Sequence, residues 1–463
     1  MNDKTYKTLL LTVLVIVFLI LLHFLPKIKI AGTELREINI LSDLSPQQTT
    51  LQDVLPRPAQ PKATQLKDKD GRLVSFKESW PKGTEPIVDF SGGKAGGMDA
   101  FYEKINNLAK GITNGCPVRI AYYGDSFIEG DVLLEHLREE LQKKYGGWGV
   151  GWLDAGNELN QYKHTVTHKF TGLVEHMVMK RKSYDVALAG LAERYYTCSG
   201  PAQISLAPFI LPEFPHTGKW RITQLYLRAP RGADITMKFD GNVQRAFQLS
   251  PSPRLQVVQG ASPTSHAQLS VRGGGAVLFG TSQEAKEGII IDNFSMRGTN
   301  GHSLGKLPVA MLSEFARVRP YDLIVLQYGV NAVNEQSDAP RLKKYIEEMR
   351  VVVNNFRKAF PQTSILIVSA PDRGSKSSPD GTMHQVEMLV SYQENLAAEC
   401  KVGFYNLLNA MGGPGTMKRI VDSYDMGSKD YVHINHKGGK YVSGRIFKSI
   451  VAGQKNYGRR MGN

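Results

Sequence analysis

From about residue 215 to 290 the sequence offers only short, turn-bounded strands, while apolar strands alternate with amphipathic helices on either side. One layered architecture does not accommodate both textures, so the chain is read as an all-β piece set within an α/β one. In "ADITMKFDG", Ile235, Met237 and Phe239 alternate with Asp234, Thr236 and Lys238, the period of a strand with one buried face. "RITQLYLRAP", "PRLQVVQG", "AQLSVRGGG" and "GAVLFG" are similar short strands, parted by Gly, Pro, Ser and Asn. They predict an inserted β-sandwich spanning about 153–292.

The flanks differ. "PVRIAYYG" is apolar on both faces, as in a strand buried within a parallel sheet, and "MDAFYEKINNLAK" before it reads as a helix. Beyond the β-rich stretch, "YDLIVLQYG" is a strand, and Leu342, Tyr345, Ile346, Met349, Val353 and Phe356 then recur at helical spacing. "SILIVSAP" is another strand, followed by a helix across "MHQVEMLVSYQENLAAEC", a short strand "GFYNL" and a last helix over about 436–452. This alternation predicts a doubly wound sheet with right-handed crossovers, its two parts spanning 86–152 and 293–463.

Ahead of this body, Thr8 to Leu25 are 18 residues without a charge, with Lys4 and Lys7 before them and Lys27 and Lys29 after. As a helix the run measures about 27 Å, close to the thickness of a hydrocarbon core. Pro26 and "KIKI" stand where a signal peptide would carry a small-residue cleavage site. The expectation is an uncleaved single-pass anchor over 1–29, with the body outside the membrane. Residues 30–85, with "SPQQTT", "LPRPAQPKA" and "KDKDG", lack apolar periodicity and read as a linker or stalk.

Lys and Arg number 57 against 43 Asp and Glu, a net charge of +14. The basic residues are scattered, with no zinc-finger or RNA-recognition signature, so a solvated basic surface is expected and no nucleic-acid partner. Cys116, Cys198 and Cys400 lack metal-site spacing and are read as free thiols or one disulfide. His164 and His168 are four residues apart on a strand-like segment without a nearby acidic ligand, and "GGWGVGW" lacks a P-loop lysine. Neither a metal nor an organic cofactor is expected.

The chemistry-bearing blocks lie at predicted strand ends. "AYYGDSFIEGDVL" places Ser126 just after a buried strand, where it is either a turn residue or a nucleophile. A nucleophilic serine needs an imidazole to take its proton and a carboxylate to hold that imidazole's tautomer. Among the histidines only His433 follows an aspartate, Asp430, by three residues, in "SKDYVHINHKGGKY". Donors for an oxyanion are offered by Gly298 in "SMRGTNGH", which lacks a Cβ, and by the Asn331 amide in "QYGVNAVN".

Taken in order, these blocks resemble those of the SGNH (GDSL-type) hydrolases, named for Ser, Gly, Asn and His. The resemblance covers about 100–150 and 293–452. It implies a flavodoxin-like three-layer domain, a Ser126–His433–Asp430 triad, and an oxyanion hole from Ser126, Gly298 and Asn331. A narrower resemblance is to bacterial peptidoglycan O-acetylesterases, which carry a β-sandwich, carbohydrate-binding-like module between the first two blocks. "YGGWGVGW" and "RGTNG" are also similar to that group, whereas "HINHKGG" departs from it. The expected function is a serine esterase removing O-acetyl groups from a cell-envelope polysaccharide, with peptidoglycan the leading substrate. The alternatives are a polysaccharide O-acetyltransferase using the same triad, and a noncatalytic membrane-anchored glycan-binding protein.

Overall fold

The computed structural model describes residues 3–23, 29–30, 33–34, 54–67 and 72–462, apart from 199, 210, 219, 241–242, 265, 376–377 and 379–380. The chain divides into two compact units, Met1–Asp53 and Val54–Asn463. In the first, α1 (Asp3–His23) takes in the apolar run from Thr8 to His23, and Leu9, Leu11, Leu14 and Phe18 are exposed along it. Among the described residues no helix is long and apolar enough to cross a membrane; the described side chains of α1 end at Phe18, well short of Leu25.

The second unit opens with a difference from expectation. Most of the segment read as a stalk between 30 and 53 lies outside the described residues, but Leu55, Pro56 and Ser79 are bonded to the body. The Leu55 N–H donates to Ser391 Oγ at 3.0 Å, Asn395 Nδ2 donates to the Pro56 carbonyl at 3.1 Å, and the Ser79 N–H donates to Asn456 Oδ1 at 2.9 Å. A proline-rich strap whose backbone groups bond to side chains of the body leaves no apolar period to read.

Along the body run β1 (Ile87–Asp89), α2 (Asp99–Ala109), β2 (Val118–Gly124) and α3 (Leu134–Tyr145). After the insertion come β3 (Ile289–Ser295), α4 (Val309–Val318), β4 (Leu323–Gln327), α5 (Ala339–Ala359), β5 (Ser364–Val368), α6 (Gln385–Cys400) and β6 (Gly403–Tyr405). The chain ends in α7 (Leu407–Met411), α8 (Thr416–Tyr424) and α9 (His436–Arg460). The sheet order is β3-β2-β4-β5-β6-β1, with β1 antiparallel at the edge and the other five parallel. Among those five the order is 2-1-3-4-5, the doubly wound flavodoxin-like arrangement. β2 shows why its sequence is apolar throughout: Ile120 and Tyr122 pack with α2, α3 and α9, while Ala121 and Tyr123 pack with α4, α5 and α6. α4, buried through Met311, Leu312 and Phe315, had no counterpart in the sequence reading.

The insertion is a β-sandwich. Its inner sheet has the order Ser252–Thr264, Trp220–Ala229, Val277–Glu284, Arg194–Thr197, Val174–Met177, with Gly151–Asp154 also paired to Val277–Glu284. Its outer sheet has the order Gln244–Leu249, Ala233–Phe239, Ala267–Arg272, Ala202–Pro208, Val166–Thr171. Ile235, Met237 and Phe239 of the outer sheet bury one face against Leu225, Leu227 and Leu278 of the inner. The inner sheet is buried on both faces. Trp152, Tyr195, Tyr226 and Phe279 point away from the sandwich into one continuous core with Phe294, Phe315 and the α4–α6 layer.

The insertion boundaries also differ from 153–292. Gly151 already pairs with the inner sheet, and Ile289–Asp292 belong to β3 of the central sheet. "IIIDNF" is buried on both sides, so it lacks the alternation that marks half-buried strands. The glycine-rich run ahead of Trp152 lies against this junction: a Cβ on Gly151, whose φ is 73°, would sit 2.5 Å from the Ile291 carbonyl oxygen.

At the junction lies a buried charge network. Arg319, just past α4, gives Asp292 of β3 two hydrogen bonds, Nε to Oδ2 at 2.6 Å and Nη2 to Oδ1 at 2.8 Å. Its Nη1 reaches the Tyr226 hydroxyl at 2.9 Å and Glu284 at 3.0 Å. Glu284 also accepts from Arg119 at 2.6 Å, and Tyr321 donates to Asp292 at 2.6 Å. Burial would raise the Asp292 pKa, but the Arg319 charge and these hydrogen bonds bring it below the usual carboxylate range. Arg319→Met is expected to lower stability by about 3–5 kcal/mol in urea unfolding, because two buried carboxylates lose their shared cation. A cost under about 1 kcal/mol would show that the pair is not isolated from water.

Candidate active site

The register of the central sheet decides where the chemistry collects. Gly124 at the end of β2 pairs with Ser295 at the end of β3 and with Gln327 at the end of β4. The chain leaves all three strands at one level, so the loops bearing Ser126, Gly298 and Asn331 begin side by side. β2 and β4 flank the point where the strand order reverses, where open α/β sheets bind their ligands.

Ser126 sits in a tight turn after β2. Asp125 Oδ1 accepts the Phe127 N–H at 2.9 Å, and the Ser126 carbonyl accepts the Glu129 N–H at 3.3 Å. From the other end of the chain, His433 places Nε2 2.9 Å from Ser126 Oγ. Its Nδ1 is 2.7 Å from Asp430 Oδ2. The Asp-x-x-His spacing works because the other carboxylate oxygen holds the turn: Oδ1 accepts the N–H of Val432 at 2.9 Å and of His433 at 3.1 Å. Tyr431, inside that turn, is left-handed at φ 56°, a strained conformation for a residue with a large side chain. Asn435 then caps α9 by accepting the Gly438 N–H, which fixes the direction of the helix that follows His433. Partial burial would raise the Asp430 pKa, but hydrogen bonds from His433 and the two backbone N–H groups bring it below the ordinary value. Ser126, His433 and Asp430, separated in sequence, therefore form one relay.

The two further donors are linked to each other. Gly298 is left-handed at φ 77°, and Asn331 Nδ2 donates to the carbonyl of Thr299, its neighbour, at 3.0 Å. Arg297 bonds Glu129 through Nε at 2.6 Å, tying the Gly298 loop to the turn after Ser126. The Asn331 loop lies close against β5, since a Cβ at Gly329 would meet Ala370 Cβ at 2.3 Å. The insertion reaches this rim: Met179 Cε is 3.5 Å from where a Cβ on Gly298 would be.

Two residues were missed by the sequence reading. Arg373, past the end of β5, donates to the carbonyls of Val330 and Val333 on either side of Asn331, the latter at 2.6 Å. Its only signal was its place at a strand end. Asp125 lies in the quoted Gly-Asp-Ser block but was taken as a turn former. Burial pushes its carboxyl up to about 7, against the hydrogen bonds from Phe127 and Gly329 and the nearby His433. By contrast, the HxxxH pair does not act as one. His168 is buried beside Asn160 at 3.1 Å, whereas His164 turns to residues from the far end of the chain.

No family model matches the sequence, and none of the curated proteins does. Among solved structures, a peptidoglycan O-acetylesterase is similar over 80% of this chain and 99% of its own, at 21% identity and a TM-score of 0.64. This chain shares the fold of that structure. A lipase/acylhydrolase from Enterococcus faecalis is similar over 36% of this chain and 77% of its own, at 15% identity and TM-score 0.27. A family two carbohydrate esterase from Clostridium thermocellum in complex with cellohexaose is similar over 58% and 95%, at 12% identity and TM-score 0.26. Those two scores are too low to carry an argument.

The Asp125 environment has a measurable consequence. Its carboxyl holds a proton more tightly in the folded chain than in the unfolded one, so the stability this gives is complete below about pH 4. It is lost as the pH rises through about 7. Asp125→Asn is expected to gain melting temperature relative to the parent chain between pH 5 and pH 8. A difference that does not change over that range would show that Asp125 is not held protonated.

Proposed function

We propose that this protein is a serine esterase that removes O-acetyl groups from a cell-envelope polysaccharide, with peptidoglycan the leading substrate. The observation that carries the reading is the unbroken relay from Asp430 through His433 to Ser126, at 2.7 and 2.9 Å. Ser126 Oγ attacks the acetyl carbonyl while His433 Nε2 takes its proton. The negative charge that develops on the carbonyl oxygen is met by the N–H groups of Ser126 and Gly298 and by the Asn331 amide. The sugar hydroxyl leaves with the proton from His433. Water, deprotonated by the same imidazole, then attacks the acetyl-Ser126 ester and releases acetate.

The form of the site supports a bulky substrate. The side chains of His433 and Asp430 are 44% and 47% exposed, so the relay opens onto the surface. A cavity of about 1030 Å³, lined by Arg57, Trp80, Asp89 and Glu394, lies elsewhere, beside β1. An acyl group carried on a polymer reaches an open relay without having to enter a tunnel. The solved peptidoglycan O-acetylesterase, similar over nearly its whole length, supports the same substrate class. The uncharged run over Thr8 to Leu25 supports a membrane anchor that keeps the body in the envelope.

The test is incubation of the purified chain with O-acetylated peptidoglycan, with and without an acceptor glycan, measuring free acetate and transferred acetyl. Free acetate is expected in both. Transfer to the acceptor would make the protein an acetyltransferase, and neither product would make it a glycan binder. Ser126→Ala should abolish acetate release without loss of folding, and turnover near the parent level would overturn the mechanism. Asn331→Ala should lower kcat by roughly 10²- to 10³-fold with little change in KM, as for a donor used mainly in the transition state. A change in KM alone would make Asn331 a substrate-positioning residue.

A further inference from the structure

One group of ligating side chains lies outside the relay. Glu135 on α3, His164 in the insertion just ahead of the outer-sheet strand Val166–Thr171, and His436 at the first position of α9 converge from three distant parts of the chain. One ligand atom from each, a Glu135 oxygen and a ring nitrogen of each histidine, lies within 4.8 Å of the other two. Both imidazoles turn Nδ1 toward the carboxylate. His436 Nδ1 is 2.5 Å from Oε1, and His164 Nδ1 is 3.7 Å from Oε2. The two rings stack with centroids 3.5 Å apart.

Glu135 supplies the deciding observation. Its side chain is fully buried, yet among the described residues Oε2 has no hydrogen-bond partner. A buried carboxylate oxygen left without a donor is costly, and a cation at this point would satisfy it. His164 and His436 are partly exposed, at 48% and 32%, so the carboxylate has an approach from solvent.

We propose that Glu135, His164 and His436 form a binding site for a divalent transition cation of the zinc class. One carboxylate and two imidazoles are a known donor set for such an ion and leave a fourth position for water. Binding replaces the Nδ1 proton of each ligating ring. From a neutral imidazole the proton moves to Nε2, and from an imidazolium one proton is released to water. Lys440, one turn along α9, is exposed to solvent. His136, whose Nε2 is 3.8 Å from Oε1, packs its ring on Phe214 behind the carboxylate.

The position gives the ion a task. His436 is three residues beyond His433, and α3 begins shortly after the Ser126 turn. An ion held by both, and by His164, fastens the His433 turn to the element that follows the nucleophile without touching substrate. These are positioning residues. The binding claim does not depend on the esterase reading, because its test reads the metal itself.

The untagged full chain, freed of metal by chelator and kept in neutral detergent, is titrated with Zn²⁺ by calorimetry and with Co²⁺ by visible absorption. One ion per chain is expected, with the intense visible bands of four-coordinate Co²⁺. His164→Ala and His436→Ala should each weaken Zn²⁺ affinity by at least about 100-fold. His164 is half exposed, so its variant is expected to fold even if Glu135→Gln does not. Hydrogen exchange over residues 425–440 should slow on Zn²⁺ addition in the parent chain and not in His164→Ala. No saturable binding, or an affinity in both histidine variants equal to that of the parent chain, would reduce the cluster to an ion pair and overturn the site. Binding without a change in exchange would overturn its fastening role.

Discussion

The guanidinium of Arg319 and the carboxylate of Asp292 are buried against each other where the central sheet, the inner sheet of the insertion and α4 meet. Much of the architecture follows from keeping them paired. An ion pair removed from water is tolerable only when its remaining donors and acceptors are satisfied. Here Tyr226 and Glu284 from the insertion, Arg119 from β2 and Tyr321 complete the set. The insertion is therefore not an appended module. Its inner sheet supplies hydrogen-bond partners to the central sheet and one wall of the core formed with Phe294 and Phe315. β3, which carries Asp292, also leads directly to the loop of Gly298, so the same contacts that lock the insertion set one side of the site.

The site is assembled by register more than by local attraction. β2, β3 and β4 end at one level, and the three loops that leave them need only a few contacts to hold their positions: Arg297 with Glu129, Asn331 with Thr299, and Arg373 with the two carbonyls around Asn331. The fourth part arrives from beyond the sheet, on the turn before α9. There Asp430 serves twice, with one oxygen shaping its own turn and the other orienting the imidazole.

What the sequence showed depends on whether each interaction is local in the chain. The Asp430–His433 pair was legible because it closes within three residues, and the strands of the outer sheet because one face of each meets solvent. β2 was legible because a strand buried on both sides is apolar throughout. The start and end of the insertion were not, since Gly151 and Ile289 sit where strands of two sheets run together and neither edge is marked by polarity. Arg319, Arg373 and the ionisation of Asp125 were hidden for the same reason: each depends on a partner brought in by the fold. The pairing of His164 with His436 is the extreme case. In the sequence His164 appeared to belong with His168, whose ring instead faces Asn160.

The open relay has a consequence of its own. Nearly half of the His433 and Asp430 side-chain surface faces solvent, so the protein supplies only part of the low-dielectric surroundings in which such a relay is most effective. In the proposed esterase reading, the missing wall comes from whatever carries the ester. A large acyl carrier laid across the rim, over Met179 and the Gly298 turn, would shut out water and strengthen every charge-bearing hydrogen bond beneath it. A small free ester would leave the relay wet. On that reading the reactant would act as the lid, and any selectivity for large carriers would arise from how completely each one closes the site rather than from how tightly it is gripped.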